Sequence, residues 1–201
     1  MIRVLLADDQ ATVRGALAAL LSLEKDIDVV AEVGRADEVV SAAREKKPDV
    51  ALLDIEMPGG DGLAAAAGLR DAIPSCRVLM LTTFGRPGYL KRAMEGGAVG
   101  FLTKDMPAAQ LASAIRRAVA GERVIDPQLA IDALSEGDNP LTERERDVLA
   151  AASSGAGIAE IATQLFLSPG TVRNYLSLAI QKLDAANRFE AARRAKEKGW
   201  I

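Results

Sequence analysis

Val50-Ala51-Leu52-Leu53-Asp54-Ile55-Glu56-Met57-Pro58-Gly59-Gly60-Asp61-Gly62 sets four apolar residues ahead of a carboxylate, with a Pro/Gly-rich loop behind it. A short apolar run bounded by turn signals reads as a buried strand. Asp54 then stands at the C-terminal tip of that strand, where open parallel α/β sheets keep their ligand crevice. Taken alone, an Asp close ahead of Pro and Gly is better explained as the start of a turn. Three further stretches reverse that balance.

Asp8-Asp9 follows the apolar run Ile2-Arg3-Val4-Leu5-Leu6-Ala7. Thr82-Thr83 follows Arg77-Val78-Leu79-Met80-Leu81. Lys104 follows Val99-Gly100-Phe101-Leu102-Thr103. If these strands are parallel neighbours, all four sets converge on one edge of a sheet. Carboxylates, a hydroxyl and an amine are the parts of a magnesium-dependent phosphoryl-accepting site. A hard cation with near-octahedral oxygen ligands takes carboxylates and keeps several waters. Its charge also lets carboxylates stay ionised close together. A strand-end Lys beside acids is ordinarily a solvated counter-ion, and Lys104 is expected to leave the fold unaffected when removed.

The rest of the first part alternates. Strands are expected at 2–7, 27–33, up to Asp54, 77–82 and 99–103, with helices at 10–23, 36–46, 61–72, 87–95 and 107–119. The last helix opens with Pro107 and stops at Gly121. Five strands alternating with five helices make a doubly wound α/β fold with a parallel sheet. The expected strand order is 2-1-3-4-5.

At Asp8-Asp9, Asp54, Thr82, Phe101 and Lys104 the chain resembles the receiver domain of two-component response regulators, over roughly residues 1 to 120. The resemblance implies an acidic pair, a phosphoacceptor Asp54, a switch hydroxyl Thr82, a switch aromatic Phe101 and a phosphate-binding Lys104. It also implies Mg²⁺ held by Asp9, Asp54 and the backbone carbonyl of Glu56, with Asp8 assisting. Lys104-Asp105 departs from the Lys-Pro of many receivers, and Asp is common there in the NarL/FixJ subclass.

Composition sets limits. In 201 residues there is one cysteine and no histidine. An internal disulfide is excluded, Cys76 reads as an inert core thiol, and a phosphohistidine donor has to be another protein. No apolar run approaches the roughly 18 residues of a membrane span. No basic-then-apolar leader opens the chain, so a cytoplasmic protein without membrane insertion is expected. Residues 1–139 hold 16 Lys+Arg against 21 Asp+Glu, a net of −5, and residues 140–201 hold 9 against 7, a net of +2. An acidic first part joined to a mildly basic second part suggests two jobs.

Residues 122–140 break the alternation, with a short helix possible over 128–135 and a polar turn at Glu136-Gly137-Asp138-Asn139-Pro140. The expected organisation is a first domain over 1–121, a linker over 122–140 and an all-α domain over 141–201. Thr142-Glu143-Arg144-Glu145 is a capping box opening a helix to about Ser153. A short helix at 158–165, the turn Phe166-Leu167-Ser168 and a Ser-Pro-capped helix at 169–183 form a helix-turn-helix. A last helix covers 188–198. Pattern alone leaves DNA binding and simple bundle packing at even odds.

Leu141-Thr142-Glu143-Arg144-Glu145, Glu160-Ile161-Ala162, Thr171-Val172-Arg173-Asn174, Lys182-Leu183 and Asn187-Arg188 resemble the LuxR-type DNA-binding domain. The outward face of the 169–183 helix then carries Arg173, Asn174, Ser177 and Gln181, and Arg and Asn suit guanine and adenine edges in the major groove. Thr171, Lys182 and Arg188 read as phosphate anchors. Two departures, Gly157-Ile158-Ala159 without polar residues and Ser177 in place of a Lys, imply fewer phosphate contacts and weaker non-specific affinity. Ile55-Glu56-Met57-Pro58, Leu81-Thr82-Thr83-Phe84-Gly85-Arg86-Pro87-Gly88-Tyr89 and Gly170-Thr171-Val172-Arg173-Asn174-Tyr175 resemble the DesR-type regulators of membrane-lipid desaturase genes.

The resemblances imply a transcriptional regulator phosphorylated on Asp54 by a partner histidine kinase, forming a homodimer on double-stranded promoter DNA. The competing reading is an enzyme, a Mg²⁺-dependent aspartate-nucleophile phosphatase of the haloacid dehalogenase type. Its second acid lies two residues after the nucleophile, as in Asp54-Ile55-Glu56. Its nucleophile, however, ends the first strand, where this chain has the adjacent pair Asp8-Asp9.

Overall fold

The computed structural model describes residues 1–83, 85–135 and 139–201, so three residues of the polar turn expected at 136–140, and the 84 position, lie outside the described residues. The chain divides into two compact units, Met1–Gly85 with Leu90–Ile131 and Arg86–Tyr89 with Asp132–Ile201.

The first part runs β1 (Ile2–Ala7), α1 (Ala11–Leu21), β2 (Ile27–Val33), α2 (Ala36–Lys46), β3 (Val50–Asp54), β4 (Glu56–Met57), β5 (Gly60–Asp61), α3 (Gly62–Ala72), β6 (Arg77–Thr82), α4 (Pro87–Glu95), β7 (Gly100–Thr103), α5 (Ala108–Val119), β8 (Val124–Ile125) and α6 (Pro127–Ser135). One parallel sheet has the order β2-β1-β3-β6-β7-β8. Its first five members reproduce the expected order, and the sixth is a correction. Val124 and Ile125 pair with Gly100 and Phe101, so part of the segment read as linker extends the sheet. Two residues are too short a run for periodicity to register. β4 and β5 form an antiparallel hairpin, Glu56 opposite Asp61 and Met57 opposite Gly60, inside the loop that follows Asp54.

Strand side chains alternate between faces. Val4, Leu6, Val50, Leu52, Leu79, Leu81 and Leu102 share one face and pack with Leu21 of α1 and Leu111, Ile115 and Ala118 of α5. Leu5, Ala7, Ala51, Leu53, Met80 and Phe101 occupy the alternate positions and are equally buried. Burial on both faces explains why the strands read as continuous apolar runs. Continued past the last apolar residue, the same alternation puts Asp8, Asp54 and Lys104 two residues beyond Leu6, Leu52 and Leu102. Thr82 falls on the other set, two residues beyond Met80.

The second part is helical: α7 (Glu143–Ser153), α8 (Ile158–Gln164), α9 (Pro169–Lys182) and α10 (Arg188–Glu197). Val148, Leu149, Ile161, Val172, Leu176, Ala191, Ala195 and Trp200 form its core. Three of the four starts, those of α7, α9 and α10, are capped by the N-cap side chain. Thr142 and Glu145 close the expected capping box on α7, Ser168 Oγ accepts the Thr171 N–H at 3.1 Å, and Asn187 Oδ1 accepts from Phe189 and Glu190 at 3.0 Å. The α8–α9 turn passes through Phe166 at φ +56, a left-handed conformation uncommon for a bulky residue.

Gly62 packs against the back of Asp54. Its N–H donates to the Ile55 carbonyl at 2.8 Å, and a Cβ built on it would lie 1.8 Å from the Asp54 carbonyl oxygen. Gly62→Ala is expected to destabilise the first unit by about 1–3 kcal/mol, the usual cost of overpacking. Its thermal midpoint should fall by about 4–8 °C for each kcal/mol, and an unchanged midpoint would refute the close approach.

Candidate functional site

Asp8 and Asp54 are 2% and 5% exposed. Lys104 Nζ lies 2.8 Å from Asp8 Oδ2 and 2.8 Å from Asp54 Oδ2, and its side chain is 9% exposed. The approach is one of charge to charge, off the hydrogen-bond directions. Lys104 is therefore not the solvated counter-ion expected from its strand-end position. Its backbone N–H donates to the Thr82 carbonyl at 2.9 Å, which places its stem over the end of β6, and the ammonium lies between two buried acids.

The electrostatics follow from burial. Desolvation raises the Asp54 pKa above the ordinary carboxylate value. Lys104 and the Ile55 N–H, which donates to Oδ1 at 2.8 Å, pull it back without cancelling the rise. Burial also disfavours the Lys104 charge, but the Asp54 and Asp8 carboxylates beside it outweigh this and hold its pKa above the usual lysine value.

Asp9 is exposed and completes an acidic cluster. One oxygen each of Asp8, Asp9 and Asp54 lies within 4.8 Å of the others. Three hard oxygen donors at that separation fit a cation of the Mg²⁺ kind. A cleft of about 260 Å³ opens beside them, lined by Asp9, Gln10, Asp54, Glu56, Thr82 and Thr83. Gln10 in that lining was not picked out from the sequence, and its only signal was its place next to Asp9. Thr82 is 4% exposed and Phe101 0%. Phe101 pairs in register with Met80, two residues along from the Thr82–Thr103 pair, so the two switch candidates share a face. Cys76 is inert, its thiol pushed up to about 12 by burial and then by the Asp49 charge.

In the second unit, Arg173, Asn174, Ser177 and Gln181 are exposed on α9, while Val172, Leu176 and Ala179 are buried beneath them. The three expected phosphate anchors are engaged within the fold. Thr171 Oγ1 lies 2.8 Å from Ser168 Oγ. Lys182 Nζ donates to Glu145 Oε2 at 2.7 Å. Arg188 donates to the Ala156 carbonyl at 3.0 Å and stacks 4.7 Å over the Phe189 ring. Glu145 is 3% exposed. Burial opposes its charge, but Lys182 and Thr142 more than offset this and hold its carboxyl below the usual range.

A parallel α/β sheet with an acidic cluster and a buried lysine at its C-terminal edge, followed by a helix-turn-helix, defines the class of receiver-controlled DNA-binding regulators. Residues 4–116 match the family described as response regulator receiver domain, and residues 139–195 match the bacterial regulatory proteins of the luxR family. The chain is 46% identical over 201 residues to the transcriptional regulatory protein DesR of Bacillus subtilis (strain 168), covering 100% of both. It is 41% identical to the response regulator RamR of Streptomyces coelicolor, covering 100% of this chain and 98% of that one. Its fold is similar to that of the response regulator ChrA of a heme-sensing two-component system, with TM-score 0.59 and 33% identity over 100% and 98% of the two chains. The chain belongs to the two-component response regulators with a LuxR-type helix-turn-helix, and is a two-component transcription regulator. Among the described residues no helix is long and apolar enough to cross a membrane.

Removing the cation between two buried carboxylates carries a sign that pH resolves. Asp54 already has a raised pKa, so its contribution favours the folded state below the ordinary carboxylate range and is lost as pH rises. Lys104→Met enlarges that loss. The variant is expected to be about 3 kcal/mol less stable than wild type near pH 7, the order of magnitude for breaking a buried pair. The deficit should shrink on titration toward pH 4. Urea melts across that range would refute the burial argument if the deficit were absent or independent of pH.

Proposed function

We propose that Asp54 is the phosphoacceptor and that its phosphorylation by a partner histidine kinase drives dimerisation and promoter binding. The observation that carries this is the Asp8–Lys104–Asp54 arrangement beside an open cleft. An Asp54 carboxylate oxygen attacks phosphorus as the P–N bond to the kinase imidazole breaks. Mg²⁺, for which Asp8, Asp9, Asp54 and the Glu56 carbonyl are the proposed ligands, would screen the charge that gathers there. Lys104 and Thr82 then hold the new phosphoryl oxygens, and Phe101 takes the space Thr82 leaves. The chain receives a phosphoryl group and switches; it does not turn over substrate.

The proposed division is a receiver over 1–121, a connecting segment over 122–140 and a DNA-binding domain over 141–201, acting in the cytoplasm. Exposed Leu20 of α1 and Val119 of α5, with Leu23 just past the end of α1, favour the faces of α1 and α5 as the dimer surface over the alternative around α4. Paired helix-turn-helix units would then read half-sites about 10 bp apart. In this reading Arg173, Asn174 and Ser177 face base edges, with Thr171, Lys182 and Arg188 toward phosphates.

Incubation with acetyl phosphate and Mg²⁺ is expected to add one phosphoryl group, and Asp54→Ala to abolish it; equal labelling of the variant would refute the assignment. On promoter DNA, mobility shift with oligomeric state measured in parallel should show tight binding only by the phosphorylated dimer. Arg173→Ala should remove specific binding while leaving that dimer intact. Tight binding by the unphosphorylated monomer, or specific binding that survives Arg173→Ala, would overturn this account.

A further inference from the structure

We propose that Arg14 is a positioning residue for the acidic cluster: it fixes the peptide between Asp8 and Asp9 and so aims the Asp9 carboxylate at the cation position. The inference rests on the Mg²⁺ reading given above. Asp9 is exposed and forms no ion pair among the described residues. Its direction is set by the backbone before it.

That backbone is held from both sides. The Asp8 N–H donates to the Val33 carbonyl of β2 at 3.1 Å. The Asp8 carbonyl, which belongs to the same peptide as the Asp9 N–H, accepts from Arg14 Nη1. The Gln10 N–H then returns to Asp8 Oδ1 at 2.9 Å. Arg14 lies one turn into α1, its own N–H donating to the Gln10 carbonyl at 2.9 Å. Helical side chains lean toward the N-terminus, so the guanidinium reaches back over the strand–helix junction.

The burial of Arg14 sets it apart from a surface arginine. Its side chain is 20% exposed, and Nε is buried without a hydrogen bond. Its nearest charge partner is Glu32 Oε2 at 3.6 Å, itself 43% exposed. A loose ion pair of that kind contributes little. The hydrogen bond the guanidinium makes is to the Asp8 carbonyl, and outer partners that orient a ligating carboxylate typically carry about 10-fold or more of metal affinity. The plainer alternative is that Arg14 only fastens α1 to β2 through Glu32.

The test titrates the full chain with Mg²⁺ by calorimetry, without any phosphoryl donor, and records far-UV circular dichroism and the thermal midpoint in EDTA. Arg14→Met keeps the aliphatic stem and removes every donor. It is expected to weaken Mg²⁺ binding by about 10-fold with its EDTA midpoint close to wild type. Arg14→Lys, which retains one donor, should recover most of the affinity, and Glu32→Gln should leave it unchanged. Unchanged Mg²⁺ affinity in Arg14→Met would overturn the inference, as would equal weakening in Arg14→Met, Arg14→Lys and Glu32→Gln that follows a fall in midpoint. Asp9→Asn separates this from the site reading itself. If wild type binds Mg²⁺ and Asp9→Asn weakens it while Arg14→Met does not, only the role of Arg14 falls; if wild type shows no binding, or Asp9→Asn leaves it unchanged, both fall.

Discussion

Lys104 supplies one positive charge to two buried carboxylates, and the C-terminal edge of the sheet is arranged around that shortfall. Its ammonium sits 2.8 Å from both Asp8 and Asp54. Buried charges persist only when paired, and like carboxylates at close range raise each other's pKa. The direction of the Asp54 shift shows that burial is only partly compensated. Holding three groups from β1, β3 and the end of β7 at that spacing requires the strand tips to be level. The pairing of β1 with β3, β3 with β6 and β6 with β7 provides this. The apolar alternation that buries Leu6, Leu52 and Leu102 thus also delivers the polar groups two residues further on.

That alternation is why the site was legible before any coordinates. A strand-end residue two positions beyond a buried one lies on the same face, so Asp8, Asp54 and Lys104 could be gathered from sequence once the strands were taken as parallel neighbours. The burial of Lys104 could not. It depends on where a flexible four-carbon stem lies, which strand patterning does not encode. β8 and the β4–β5 hairpin escaped for a different reason. Each strand has two residues, and what makes it a strand is its partner: Gly100 and Phe101 for β8, and each other for β4 and β5. Arg14 left no signal either, because its acceptor is a backbone carbonyl and carbonyls carry no sequence.

In the helical unit, caps were readable because Ser, Thr and Asn act on backbone within three residues of themselves. Glu145 shows the limit of that locality. It closes the capping box of α7 and also binds Lys182 at the far end of α9, fixing that helix at its C-terminus. The same pairing lowers the cationic charge free for DNA. Arg144, Lys182, Arg193 and Arg194 each have an acidic partner within 4 Å, so the net of +2 counted over residues 140–201 is not a set of free phosphate contacts. The outward face of α9 retains Arg173 as its exposed cation. In the proposed reading a single such domain would have a small electrostatic contribution to affinity, and joining two would raise affinity through effective concentration without new contacts.

The proposed switch inherits its two-state character from packing. Thr82 and Phe101 are both buried, at 4% and 0% exposure, on one face of adjacent strands. A close-packed interior does not deform gradually, so Phe101 can move only into volume that Thr82 has vacated. In the proposed reaction a phosphoryl group adds about −1.5 to −2 charge where one ammonium already serves two carboxylates. If Lys104 turned toward the phosphoryl oxygens, as proposed, the buried Asp8 carboxylate would lose the ammonium that now stands 2.8 Å from it. Asp9, exposed next to Asp8 and within 4.8 Å of the same oxygens, is placed to share a cation with it. On the proposed mechanism the acidic pair would then matter after phosphorylation as much as during it, because in that state Lys104 would no longer stand against Asp8.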